Sequence, residues 1–256
     1  MIEGFQLIDL GVRYGSKAVL RGLSCAFEPG EFVTVIGPNG AGKSTLIGAM
    51  SGLRAGYSGS CLYRAKEVRR WDRKTFAREV ALVPQSIRID FPFTAEQVVL
   101  MGRHPFAGAL FESDEDRYQV RRVMELTGVT EFRERDFRTL SGGEKQRVVV
   151  ASALAQMPSV LLLDEPAAFL DIEHQLGLYR LLRTLCDSGV LAIAVTHDLN
   201  LASAYASRVV LISDGQIVSD GTPAHVFKSA RLKDVFHVDA HILQGPTGRP
   251  WIQYGS

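Results

Sequence analysis

Gly37-Pro38-Asn39-Gly40-Ala41-Gly42-Lys43-Ser44 sets glycines, an ammonium and a hydroxyl between an apolar run, Phe32–Ile36, and a helical pattern over 44–50. Glycine backbone can wrap an anion with its N–H groups exposed, and a helix start aims the positive end of its dipole at the same charge. The chemistry is polyphosphate binding. Lys43 is placed to reach the β and γ phosphates of a nucleotide, Ser44 to set its hydroxyl on Mg²⁺, and Thr45 to cap the α phosphate. A bare glycine turn is the plain alternative, but it needs neither the strand before nor the helix after. Further along, the apolar run 160–163 ends in Asp164 and Glu165. A buried strand releases acidic residues at its carboxyl end, where open α/β sheets bind ligands. Asp164 can hold Mg²⁺ directly or through water, and Glu165 can accept a proton from an attacking water. A helix-capping Asp-Glu pair is the bland reading of the same residues. Leu140-Ser141-Gly142-Gly143-Glu144-Lys145-Gln146-Arg147 is another Gly-rich turn at a helix start, hence a second anion site with Ser141 and the Gly143 N–H as donors.

These residues need elements to position them. Continuous Val, Ile and Leu runs at Phe32–Ile36, 81–83, 160–163, Leu191–Val195 and 209–212 read as strands buried on both faces. Helical patterns lie between them, which indicates an α/β protein with a mostly parallel sheet. Side-chain caps mark helix starts at Thr94 with Gln97, at Ser141 with Glu144, and at Ser113 or Asp114. Gly52, Gly128 and Gly189 stand where helices should stop. The segment 86–139 lacks a convincing buried strand, is densely charged from Glu112 to Arg138, and reads as helices joined by turns over 102–108. It is expected to be a helical subdomain inserted into the core. From Gly221 the tail predicts one or two short helices and a hairpin around the Gly245-Pro246-Thr247-Gly248 turn.

Composition excludes other classes. The 256 residues are 46% apolar and 22% charged, with 29 Lys and Arg against 28 Asp and Glu and a net charge of +1. Those are values of a globular chain, neither disordered nor membrane-embedded. Balanced charge argues against nucleic acid as a partner. Cys25, Cys61 and Cys186 are widely separated, form no C-x-x-C pair, and are expected to be buried apolar residues. The amino terminus shows no signal-peptide pattern, and the uncharged stretch 148–163 is too short for a bilayer span and broken by Pro158. The expected location is the cytoplasm. His237 and His241 lack supporting ligands and read as surface or packing residues.

In their order along the chain, the 37–44 loop, the 140–147 octet and the 160–165 run resemble the signature set of ATP-binding cassette (ABC) proteins, over roughly residues 5–221. The resemblance implies a single nucleotide-binding domain. It has a P-loop NTPase core of RecA-like and antiparallel β parts (1–85 and 140–221), a helical subdomain (86–139) and a short carboxyl-terminal extension (222–256). It implies ATP with Mg²⁺, held by Ser44, Gln85 and Asp164. Tyr14, in Arg13-Tyr14-Gly15, matches the aromatic that stacks on adenine. Gln85 matches the glutamine that contacts Mg²⁺ and water and senses the membrane partner. His197, in Thr196-His197-Asp198, matches the histidine that bonds the γ phosphate, and Asp171 matches the loop that communicates across the dimer. Ser141, Gly142, Gly143 and Glu144 of one chain would close on ATP held by another, which implies a homodimer with composite sites. Pro166-Ala167-Ala168-Phe169-Leu170-Asp171 departs from the family pattern. The missing Thr or Ser removes a source of hydrogen bonding across the dimer and leaves Phe169 to substitute packing.

Phe91-Pro92-Phe93-Thr94, then Val98-Val99-Leu100-Met101-Gly102-Arg103-His104-Pro105, resembles the cassettes of metal-chelate importers, those for ferric siderophores, haem and cobalamin. Leu170-Asp171-Ile172-Glu173-His174-Gln175 and the tail near Val235-Phe236 point the same way. The implied partners are two integral-membrane permease subunits docking near Gln85 and the 86–139 segment, with a periplasmic or surface substrate-binding protein acting through them. The implied place is the cytoplasmic face of the inner membrane. An exporter or lipid-extracting cassette keeps the same ATP chemistry; a soluble mechanochemical cassette would need coiled coils, tandem cassettes or a basic face, none of which is visible.

Overall fold

Every apolar run singled out above is a strand in the computed structural model, which describes residues 3–106, 113–245 and 247–255. Met1, Ile2, Gly108, Glu112 and Pro246, which entered the expectations for the amino terminus, the 102–108 turn, the charged stretch and the tail turn, lie outside the described residues. Two compact units divide the chain: residues 1–71 with 179–256, and residues 72–178.

The first unit opens with a hairpin of β1 (Phe5–Tyr14) and β2 (Lys17–Phe27). Phe5, Leu7, Leu10 and Val12 are buried along β1, the spacing that gives a strand one core face apart from a register shift after Leu7. β3 (Phe32–Ile36) is buried at every position, as a strand covered on both sides must be. Helix α1 (Lys43–Met50) ends before Gly52, whose φ of 72° takes the left-handed turn that stops it. With β4 (Ser58–Tyr63) and β5 (Lys66–Glu67), the hairpin completes an antiparallel sheet ordered β2-β1-β4-β5.

Residues 72–178 begin at Asp72, whose side chain accepts from the Thr75 N–H and caps α2 (Arg73–Glu79). β6 (Val80–Val83) pairs in parallel with β7 (Val160–Asp164), Val83 standing opposite Leu163. Between these strands come α3 (Ala95–Met101), α4 (Asp114–Leu126) and α5 (Gly142–Ala155). Each opens with a reciprocal capping box, at Thr94 and Ser141 with the partners expected, and at Ser113, with Asp116, where the sequence left Ser113 or Asp114 open. A cap of this kind stabilises a helix by about 1 kcal/mol. Arg103 and Asp116, 5% and 7% exposed, clamp the three helices together. The Arg103 Nε donates to Asp116 Oδ1 at 2.7 Å, an η nitrogen donates to the Ala155 carbonyl at 2.9 Å, and the guanidinium lies 4.1 Å from the Phe106 ring centroid. Burial pushes the Asp116 carboxyl up, but hydrogen bonds from Arg103 and Ser113 outweigh it and hold the group below the usual carboxylate range. Helix α6 (Ile172–Asp187) then leads out of this segment.

The chain continues through β8 (Leu191–Val195), α7 (Leu199–Tyr205), β9 (Arg208–Ser213), β10 (Gln216–Gly221), α8 (Pro223–Val226), α9 (Ser229–Phe236), β11 (Ala240–Gln244) and β12 (Pro250–Tyr254). β3 lies between β8 and β9 and is parallel to both, and β10 adds an antiparallel edge beyond β9. The tail holds two short helices, where one or two were expected, and the expected strand pair. They share one core with the sheet: Val226, Phe227, Leu232, Val235, Ala240 and Ile252 are buried against Ile36, Val209 and Leu211. Cys61 and Cys186 are buried and Cys25 only partly so; none forms a disulfide. His237 and His241 are exposed. Among the described residues, no helix is long and apolar enough to cross a membrane.

Candidate functional site

In the unit built from both chain ends, β3 delivers the backbone to Gly37 and α1 carries it away from Lys43. Gly37 passes so close to the Ile212 carbonyl that any side chain there would overlap it, and a Cβ on Gly42 would lie 2.5 Å from Leu20 Cδ2. The loop therefore needs glycine for space as well as for conformation. Lys43 is 6% exposed, and its Nζ donates to the Gly37 and Pro38 carbonyls at 2.8 and 2.9 Å. These bonds fold the ammonium into the loop, so its charge sits where the backbone curls. Ser44 is exposed and Thr45 partly so in the first turn of α1, at the positive end of the helix dipole. Val35 and Val195 are register partners on parallel β3 and β8, and the Thr196 N–H donates to the Val35 carbonyl at 3.3 Å. Gly37 and the exposed His197 thus leave adjacent strands at their carboxyl ends. Tyr14 closes β1 with 48% exposure, and the Arg54 guanidinium lies 4.2 Å from its ring centroid.

Residues 72–178 hold the remaining candidates. Gln85 and Glu165 follow the paired ends of β6 and β7, and Gln85 Nε2 donates to Glu165 Oε2 at 3.0 Å. Glu165 has φ 51°, a left-handed backbone that costs a residue with a Cβ about 1–2 kcal/mol. Ser141 caps α5: its N–H donates to Glu144 Oε2 at 2.6 Å, and its Oγ accepts from the Glu144 N–H at 3.3 Å. These bonds from Ser141, backbone first, and the Arg135 charge hold the Glu144 carboxyl below its ordinary range. Asp171 caps the next turn, accepting from the His174 N–H at 2.9 Å and lying 2.6 Å from His174 Nδ1; the backbone bond leads in lowering its pKa. A Cβ on Gly142 would touch Phe169 Cβ at 3.5 Å, so Phe169 packs directly on the Gly-rich turn. Gln175 Nε2 donates to the Ala167 and Leu170 carbonyls at 3.1 and 3.0 Å and braces the loop between Glu165 and α6.

A Ser hydroxyl, a Gln amide oxygen and an Asp carboxylate, from Ser44, Gln85 and Asp164, are hard oxygen donors whose chemistry suits Mg²⁺. Among the described residues, no group of three or more His, Cys, Asp or Glu side chains is arranged to hold a metal on its own. Arg54, beside Tyr14, and Gln175, which braces the 166–171 loop, carry no chemical motif of their own in the sequence. No periodicity marks either one, because each acts on a partner outside its own element.

A glycine loop between a buried parallel strand and a helix start, in a chain with paired carboxylates closing another parallel strand, defines a nucleotide-binding α/β protein of the phosphate-loop class. Residues 20–168 match the family model described as ABC transporter. The chain belongs to the ABC transporter family and is one of its ATPase cassettes. It is 41% identical over 237 residues to the hemin import ATP-binding protein HmuV of Streptomyces coelicolor, covering 93% of this chain and 84% of that protein. It is 36% identical over 245 residues to the iron(3+)-hydroxamate import ATP-binding protein FhuC of Bacillus subtilis, covering 94% and 91%. Among solved structures, an ABC transporter in an inward-facing conformation, itself proposed to be of the metal-chelate type, superposes with a TM-score of 0.85 at 24% identity, covering 100% of this chain and 98% of that one. The dimeric bacterial ABC transporter cassette MJ0796 gives 0.76 at 25% identity, covering 86% and 98%.

Proposed function

We propose that this chain hydrolyses ATP to energise the import of a metal chelate, a ferric siderophore, haem or cobalamin, through separate permease subunits. The observation that carries the cargo class is identity of 41% and 36%, over nearly the whole chain, to proteins named for hemin and iron(3+)-hydroxamate import. Tyr14 stacks on the base, 37–44 wraps the phosphates, Lys43 reaches the β and γ groups, and Thr45 caps the α phosphate. Glu165 orients water and accepts its proton, Gln85 holds Glu165 and the water, and His197 bonds the γ phosphate. Ser44, Gln85 and Asp164 would hold Mg²⁺, which when bound neutralises charge on the β and γ oxygens. Catalysis by such a set is positional and electrostatic.

ATP carries about four negative charges, more than one cationic loop neutralises, so a second anion-binding turn has work to do. Ser141, Gly142, Gly143 and Glu144 supply it in trans, and Asp171 links the two sites of a homodimer. The MJ0796 cassette, solved as a dimer, supports this arrangement. Ser141→Arg is expected to spare nucleotide binding and abolish ATP-dependent dimerisation; light scattering that shows an unaltered dimer with ATP would remove the site in trans.

Core (1–85 and 140–221), helical subdomain (86–139) and carboxyl-terminal extension (222–256) divide the labour, the helical part meeting two permeases at the cytoplasmic face of the membrane. A substrate-binding protein, periplasmic or at the cell surface, delivers cargo to them. Pull-down from solubilised membranes tests the reading. A polytopic permease recovered with the chain is the expected result, whereas recovery of a ribosome or nuclease in its place would overturn transport.

A further inference from the structure

Arg54 belongs to none of the motifs, yet it is built into the same end of the molecule as Tyr14. Its backbone N–H donates to the Gly48 carbonyl at 2.9 Å, which ties it to α1, the helix that the phosphate loop opens. Its guanidinium lies over the Tyr14 ring, 4.2 Å from the centroid. Among the described residues that guanidinium makes no ion pair and no hydrogen bond, although arginine commonly seeks a carboxylate. An aromatic face is its one described side-chain partner. Tyr14 stays 48% exposed and makes no other aromatic or cationic contact among the described residues, so the guanidinium does not close the ring off.

We propose that Arg54 is a positioning residue for the nucleotide base, a proposal that rests on the reading of Tyr14 as the adenine platform. Arg54 covers one face of the phenol and fixes its tilt relative to α1, and the base stacks on the other face. The ring is then ordered before ATP arrives, which lowers the entropy lost on binding. A cation on one face also draws π density from the ring, which favours an electron-rich purine opposite it.

The test compares ATP with inorganic tripolyphosphate, which has the phosphates and no base, on the purified full chain. Arg54→Ala is expected to weaken ATP binding about 2- to 10-fold, the range of a cation–π contact, and to leave tripolyphosphate binding unchanged. KM for ATP rises, kcat stays, and Arg54→Lys recovers part of the loss. In a Tyr14→Ala background, Arg54→Ala has no further effect. Equal weakening of both ligands would assign Arg54 to the support of α1 and overturn the proposal, as would unchanged ATP affinity in Arg54→Ala. Tyr14→Ala alone separates the two levels. If it weakens ATP binding while Arg54→Ala does not, only the role of Arg54 falls; if it leaves ATP affinity at the parental value, the adenine platform itself is refuted.

Discussion

Glu165→Gln will bind ATP as the parent does and hydrolyse it about 10²- to 10⁴-fold more slowly, the usual worth of a general base. The substitution is nearly isosteric, and the geometry explains why its effect should be chemical. Gln85 Nε2 donates to Glu165 Oε2 at 3.0 Å, and an amide oxygen at the same place can still accept that bond. The left-handed backbone at Glu165, φ 51°, is no harder for Gln to adopt. What disappears is the negative charge proposed to take the proton from water. Single-turnover phosphate release, with ATP affinity measured in parallel, separates the steps. Parental phosphate release would remove Glu165 from the role of base; a matching fall in ATP affinity would show that the residue shapes the loop instead.

Arg103→Met should destabilise the protein by about 3–5 kcal/mol, because it leaves the Asp116 carboxylate buried without its cation. The Ala155 carbonyl loses its donor in the same step. For a chain of this size that corresponds to a fall in Tm of roughly 6–20 °C. Asp116→Leu added to Arg103→Met removes the stranded charge and should restore much of the loss. The pH dependence follows from the lowered Asp116 carboxyl. A group whose pKa is depressed on folding stabilises the fold fully above its unfolded value, about 3.9, and ceases to do so as pH falls through the folded value. Parent and Arg103→Met should therefore differ most at neutral pH, and the gap should narrow as pH falls from about 4 through the folded value, leaving the pH-independent loss of the Ala155 bond. Melting curves that coincide at pH 7 would show that the clamp contributes nothing.

The sequence exposed features that are local or periodic. The strands β3, β7 and β8 are legible because buried parallel strands are near-continuous apolar runs, and the helix starts at Thr94 and Ser141 because a cap and its partner lie three residues apart. The phosphate loop was legible for the same reason, all its parts being contiguous. Contacts between distant residues left no trace. Arg103 with Asp116, Gln85 with Glu165, and Arg54 with Tyr14 join residues that no period relates. Asp72 and α2 escaped because the apolar stripe there reduces to Phe76. Nothing local in the sequence ties the tail to the sheet; only its packing shows that Phe227 and Ile252 complete the core around Ile36.

Gln175 has a consequence for how this sequence can drift. Because one amide on α6 anchors the Ala167 and Leu170 carbonyls, the contour of the loop is inscribed in main-chain atoms that every amino acid carries. Positions 167 and 168 are thereby relieved of holding their own loop, and two bare methyl groups can stand there without loss of shape. The cost of that latitude is concentrated at position 175, where Glu would match the length of Gln but offer those carbonyls an acceptor in place of a donor. Variation tolerated in the loop is thus underwritten by a residue outside it.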